Sequence, residues 1–158
     1  MRLQYFKDSE FRTFKNQMDR RLLVMADVLR HIWGRPVMIS PASGALVRNS
    51  GRSWHNVSLR GWCYAMDVMP EGVENVSDAE RFHYEAMAIG FTGIGYYPHW
   101  YINGNEQRPG FHLDTRTDRE MGDPALWGAV KRGNIFGEQS YVDISVAFEM
   151  GPCEFMED

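Results

Sequence analysis

From Phe11 to Ile32 the apolar residues Phe11, Phe14, Met18, Leu22, Met25, Leu29 and Ile32 recur every three or four positions, the spacing that lines one face of an α-helix. The pattern predicts one long amphipathic helix ended by Gly34 and Pro36. Pro36 to Ser40 is a short apolar run that reads as a buried strand. Pro41 to Ser53, rich in Gly, Ser, Asn and Arg, reads as a loop leading into His55. Trp62 to Met69 carries aromatic and aliphatic residues up to Pro70, and as a strand it would place Cys63, Ala65 and Asp67 on one face. Ser77 followed by Glu80 has the form of a capping box, opening a second helix whose stripe Phe82, Ala86 and Ile89 stops at Gly90.

Ile94 to Tyr97 and Phe111 to Arg116 are strand candidates on either side of a loop containing Gly, Asn and Pro, a hairpin with a long tip. Val142, Ile144, Val146 and Phe148 alternate with Tyr141, Asp143, Ser145 and Ala147, which predicts a last half-buried strand. The order of these elements is that of a helix-first α+β domain. No internal repeat, low-complexity segment or linker-like shift in composition interrupts it, so residues 1–158 read as a single domain.

Composition narrows the function. With 158 residues the fold can bury about two thirds of the surface of the unfolded chain, so a metal is not needed merely to hold it together and would serve function. A net charge of -4 with no Lys/Arg cluster argues against nucleic acid as a partner. The two cysteines, Cys63 and Cys153, form no disulfide framework and no CxxC pair. The start, MRLQYFKDSEF, breaks its apolar residues with charge, and nowhere do eighteen apolar residues run together. The expectation is a protein made in the cytoplasm, with no signal peptide and no membrane insertion. It would meet an extracellular polymer only after lysis, by injection, or on a particle.

The chain has no HExxH and no GxxxxGK[ST], and glycines 90, 93 and 95 are spaced GxxGxG rather than GxGxxG. Ser53 in G-R-S-W-H lacks the glycine at position 55 that a nucleophile elbow requires. The histidines remain. His55 follows a Gly-rich loop, Asp67 stands on a strand, and His112 and Asp114 lie two apart in G-F-H-L-D-T-R, so their side chains leave the same strand face. A hydrolytic zinc site takes three His, Asp or Glu ligands and keeps one position for water. Two histidines and one aspartate satisfy that requirement, although the same residues can also make ordinary polar contacts.

Local context favours the metal. S-W-H followed by G-W-C-Y-A-M-D-V resembles the S-x-H...G-x-A-x-D signature of the D-alanyl-D-alanine carboxypeptidase-like zinc peptidases. That group includes phage L-alanyl-D-glutamate endopeptidases and shares its fold with the hedgehog signalling domain. G-I-G-Y-Y-P, G-F-H-L-D-T-R and L-W-G resemble the second half of the same family, so the likeness runs from about Pro36 to Gly128. It implies a small antiparallel sheet with flanking helices, and a Zn2+ ion in the sheet cleft held by His55, Asp67 and His112. His55 and Asp67 are twelve residues apart, a wider interval than the family usually has, which an inserted surface loop would absorb.

Related branches carry a Glu or a His just before the last ligand, where this chain has Pro109 and Gly110. Asp114 is then the nearest candidate for the catalytic base. The alternative register puts Asp114 on the metal and makes His112 the base. Arg48 and Arg52 precede the metal motif, and either suits a substrate carboxylate. His99 is a candidate for the cleft as acid, base or substrate contact. Tyr96, Tyr97, Trp100 and Tyr101 read either as an aromatic wall for the substrate or as the core of the hairpin. Cys63 reads as a soft ligand or as a small buried residue beside the site, and His31 and His83 as structural or exposed positions on helices.

The expectation from these readings is a zinc metallopeptidase that cuts the peptide stems of bacterial peptidoglycan, in the manner of a phage or prophage lysis or virion enzyme. One alternative is a non-catalytic module of the same fold that binds wall peptides or forms part of a phage particle. Another is a glycan-cleaving enzyme using Glu71, Glu74, Glu80 and Glu85, but their spacing is that of solvated charges on a turn and helix.

Overall fold

Asp19 decides where the first helix starts. Its carboxylate accepts the Leu22 amide at 3.0 Å, and α1 (Arg20–Trp33) runs from there to Gly34, whose left-handed φ of 72° ends it. Upstream, Asp8–Phe11 and Lys15–Gln17 are separate 3-10 turns. The predicted helix is therefore shorter than the apolar spacing suggested. Phe11 and Met18 reach the same core from a folded-back segment, which periodicity alone does not distinguish from helix. The first residues are tied down by the buried carboxylate of Asp27, which accepts the amides of Gln4, Tyr5 and Phe6, each at 2.8 Å.

The computed structural model describes the backbone of residues 1–102 and 106–157, and the side chains of all of these except 101, 102, 106 and 107. Six strands form one sheet: β1 (Val37–Ile39), β2 (Ala65–Pro70), β3 (Gly93–Ile102), β4 (Glu106–Asp114), β5 (Ala125–Lys131) and β6 (Gln139–Val142), in the order β1-β2-β4-β3-β5-β6. All neighbours are antiparallel except β3 and β5, which are parallel. The sheet is thus mixed, a correction to the antiparallel one expected. β5, whose centre is Gly128, escaped the sequence reading, and the crossover from β4 brings it in alongside β3.

Three further helices flank the sheet: α2 (Val57–Arg60), α3 (Val76–Ile89) and α4 (Ile144–Phe148). The N-cap of α3 is Asn75 rather than Ser77, its side chain accepting the Asp78 amide at 3.0 Å. The expected final strand stops at Val142, because Asp143 accepts the Ser145 amide at 2.9 Å and starts α4, which buries Ile144, Ala147 and Phe148 at helical spacing. Among the described residues no helix is long and apolar enough to cross a membrane.

Register sorts the side chains. Met66 pairs with Leu113 and Val68 with Phe111, while Ile94 and Tyr96 of β3 pair with the same two residues of β4. These six belong to the core, together with Leu22 and Leu29 of α1 and Phe82 of α3. The alternate positions project from the opposite face: Asp67 opposite His112, Gly95 opposite both His112 and Trp127, and Ala65 and Gly93 opposite Asp114.

Candidate metal centre

Asp67 and His112 meet because β2 and β4 pair in that register. His55 joins them from the loop before α2, which is laced to its surroundings: Arg48 N–H donates to His55 O at 2.9 Å, Val57 N–H to Arg48 O at 3.1 Å, and Asp67 N–H to Ala45 O at 2.8 Å. The His55 ring is fully buried. Its Nδ1–H donates to Leu46 O at 2.6 Å, which leaves Nε2 as the acceptor. His112 is held the opposite way round, its Nε2–H donating to Asp114 Oδ2 at 2.9 Å and its Nδ1 turned to the cluster.

Three atoms then converge. His55 Nε2 stands 3.2 Å from Asp67 Oδ1, His112 Nδ1 stands 3.0 Å from the same oxygen, and the two nitrogens are 3.3 Å apart. Two neutral imidazole nitrogens and a carboxylate oxygen in mutual contact could hold a metal ion. Without one, the charges settle locally. Burial acts against a charged His112, but hydrogen bonds to Asp114 and Asp67 outweigh it and lift the ring to about 9. Burial, helped by the nearby charges of His112 and Arg48, keeps His55 below the usual histidine value against the pull of Asp67. Burial would raise the Asp67 carboxyl, yet the bonds from His112 and His55 hold it well below the carboxylate range.

Asp114 corrects the role expected of it. It is fully buried and contacts His112 through Nε2, the nitrogen turned away from Asp67 and His55. Arg116 grips it with Nε at 2.9 Å from Oδ1 and Nη2 at 2.6 Å from Oδ2. Burial pushes the Asp114 carboxyl up, but His112 and Arg116 together bring it down to about 2. A carboxylate engaged on both oxygens behind the ring is not placed to take a proton from water in the cleft, nor does it belong to the trio that could hold a metal ion. The arrangement is instead a carboxylate that fixes the tautomer and orientation of the His112 ring. Gly93 makes it possible, since a Cβ there would lie 2.2 Å from Asp114 Oδ1.

A cleft of about 830 Å³ opens over Asp67 and His112. Trp127 forms one wall, its ring 5.1 Å from that of His112, and it fits because Gly95 beneath it has no side chain; a Cβ there would meet the indole at 2.4 Å. Arg116 lies between Trp54 and Trp127, with its guanidinium carbon 5.8 and 5.2 Å from the two rings. Of the two candidate arginines, Arg48 is in the cleft, with Nη2 3.2 Å from Asp67 Oδ2 and Nε 2.7 Å from Gly44 O. Arg52 is exposed outside it and offers only its carbonyl, to Arg60. The loop carries Arg52 outward before turning in at His55.

Tyr97 lines the cleft and stacks on Trp100 with ring centres 4.5 Å apart, so half of the expected aromatic wall is present. Tyr96 faces the core, fully buried and stacked on Phe148. The side chain of Tyr101 lies outside the described residues. His99 is also a correction: the register shifts between Tyr97 and Trp100, which turns Trp100 into the cleft and His99 out of it, to be buried against Phe155. Cys63 donates its thiol to Leu46 O and Ala65 O, and burial raises it to about 11, so it stays a thiol outside the trio. His31 is exposed on α1 and His83 is buried on α3.

Sequence reasoning missed Arg116, Trp54, Trp127 and Tyr141. The first had a signal, since His112, Asp114 and Arg116 alternate. The others depended on which strands and loops become neighbours. No family model, no curated protein and no solved structure matches this chain.

Proposed function

We propose that this chain is a zinc-dependent peptidase that hydrolyses an amide bond in the peptide stems of bacterial peptidoglycan, with His55, Asp67 and His112 as ligands. The observation that carries the reading is a spacing. Corners of a tetrahedron whose bonds are about 2.0–2.1 Å lie about 3.3–3.4 Å apart. The three donor atoms stand 3.0, 3.2 and 3.3 Å from one another; His55 already presents a bare Nε2, and His112 presents its Nδ1 on losing one proton. Three protein donors leave a position for water, which is how catalytic rather than structural zinc sites are built. A zinc ion bound there supplies an activated water and a polarised carbonyl.

The protein's own groups supply the rest. The Asp114–Arg116 pair keeps His112 turned to the metal. Arg48 sets a cation beside the trio, where a carboxylate of an acidic or carboxy-terminal stem residue can dock. The walls of Trp54, Trp127 and Tyr97 shelter the reacting bond from bulk water. The choice of wall peptides rests on the likeness of S-W-H, G-W-C-Y-A-M-D-V and G-F-H-L-D-T-R to the hedgehog/DD-peptidase group. The hedgehog-type fold and a phage or prophage lysis or virion role belong to the same proposal.

One observation favours a second reading, a zinc-containing module that binds wall peptides without cutting them. Among the described residues lining the cleft, Asp67 is the only carboxylate, and Pro109 and Gly110 stand where related branches keep a base. The two readings part in one experiment, metal analysis of the purified protein coupled to mass spectrometry of peptidoglycan incubated with it. New amino termini support the peptidase. Intact peptidoglycan that retains the zinc-loaded protein supports the module, and new reducing ends would contradict both.

A further inference from the structure

Tyr97 is opposite Gly110, two residues before His112 on the neighbouring strand, and it shares the cleft face with His112. At such a diagonal the Cα atoms are about 7–8 Å apart, within the reach of a tyrosine side chain. Trp100 stacks against its ring and fixes it sideways. The hydroxyl is fixed from the other end by Trp127, whose Nε1–H donates to the Tyr97 oxygen at 3.0 Å. An indole N–H can only donate, so the phenol oxygen serves as acceptor there and its own hydrogen remains available for another acceptor. Its other side-chain hydrogen-bond partner is Tyr141, 69% exposed on the edge strand β6, whose place a ligand entering the cleft would take. Burial, with the Asp67 charge adding to it, keeps the phenol protonated far above neutral pH.

We infer that Tyr97 is a catalytic residue, its phenol donating a hydrogen bond to the scissile carbonyl oxygen as negative charge builds there, and that Trp127 is the positioning residue that orients it. This rests on the peptidase reading above. When water adds to the carbonyl, a carbon–oxygen bond forms and the carbonyl π pair moves onto the oxygen that Tyr97 faces. The phenol keeps its proton throughout. The carbon–nitrogen bond then breaks, one hydrogen of the water leaves on the amine, and the hydroxyl stays in the new carboxyl group. A donor aimed at the oxygen before reaction acts where charge develops.

Tyr97→Phe keeps the ring and its stack on Trp100 and removes only the O–H. With purified peptidoglycan, kcat should fall about 100-fold, the scale of a lost oxyanion donor, with KM within about twofold and zinc content unchanged. A phosphinic analogue of an alanyl-glutamyl dipeptide, whose tetrahedral oxygens imitate the addition stage, should bind the zinc-loaded variant more weakly by a similar factor in calorimetry. Trp127→Phe should lower kcat in the wild-type background and add little to Tyr97→Phe, since it acts through the same hydroxyl. If Tyr97→Phe cuts peptidoglycan and binds the phosphinate like the wild type, the inference is overturned and the peptidase reading stands. Loss of zinc from Tyr97→Phe, or additive effects of the two changes, also overturns it. A wild-type protein that cuts no peptidoglycan and binds no phosphinate overturns both.

Discussion

Loading the trio with zinc should expel one proton at neutral pH, and that proton comes from His112. In the metal-free protein His55 is held below its ordinary value and Asp67 well below the carboxylate range, so both are already in the form that binds metal. His112 is lifted to about 9 by the carboxylates on either side of it, so at pH 7 it is an imidazolium that must give up its Nδ1 hydrogen. Each pH unit below 9 therefore weakens the apparent affinity about tenfold, or about 1.4 kcal/mol. Between pH 9 and pH 7 the loss is about 100-fold, and above pH 9 this dependence ends. Calorimetry at pH 7 in two buffers of different ionisation enthalpy counts the proton, and chelator competition from pH 6.5 to 9.5 gives the slope. Asp114→Asn removes the strongest influence raising His112, so the break should move down towards 6.5 and proton release at pH 7 should drop. At pH 9.5, where no proton is displaced, the variant should bind zinc about 10–100-fold more weakly through the loss of ligand orientation. A wild-type affinity that is flat from pH 7 to 9, with no proton released, would refute an imidazolium caught between two carboxylates.

The same group sets a stability trend. Because the folded value of His112 is raised, its contribution to the metal-free protein is fully present below pH 6.5 and is lost as pH rises through 9, on the order of 3 kcal/mol. Urea titrations of chelated protein at pH 6.5 and 9.5 measure it, and equal stabilities would contradict it. Gly95→Ala puts a methyl 2.4 Å from the Trp127 indole, which Tyr97 holds in place, so a destabilisation of about 1–3 kcal/mol should appear in thermal melts. Asn75→Ala removes the N-cap of α3 and should cost about 1 kcal/mol without altering zinc content. Chelation should leave the far-ultraviolet circular dichroism nearly unchanged, because the longer helices α1 and α3, and α4, pack into the core on the sheet face opposite the trio. Wholesale loss of helix would show the metal to be structural.

What could be read from the sequence was local chemistry. The ligand types His55, Asp67 and His112 are recognisable wherever the strands fall, and the alternation of His112 and Asp114 placed both on one face before any fold was known. What Asp114 does on that face was hidden, because it depends on a ring tautomer and on Arg116. Arg52 and His99 were misplaced by features that composition does not encode, the outward course of a loop and a shift of register on β3. β5 is parallel to a strand from which it is separated by all of β4, and no nearby residue announces such a partner. The starts of α1 and α4 were marked by Asp19 and Asp143, but an unbroken apolar rhythm ran across both and concealed them.

The pairing of β2 with β4 makes the geometry of the proposed metal site a by-product of the hydrophobic core. A slip of one residue between the strands would carry Met66 and Val68 into the open cleft and push the Asp67 carboxylate among the packed rings and aliphatic chains. Each apolar side chain so exposed forfeits about 1.5–3 kcal/mol, and the buried charge adds to the cost. Asp67 and His112 thus inherit their alignment from residues on the other face of the sheet. Reshaping Phe111 or Leu113 on the helix side would in effect edit the geometry of the proposed metal site while leaving every cleft residue as it was.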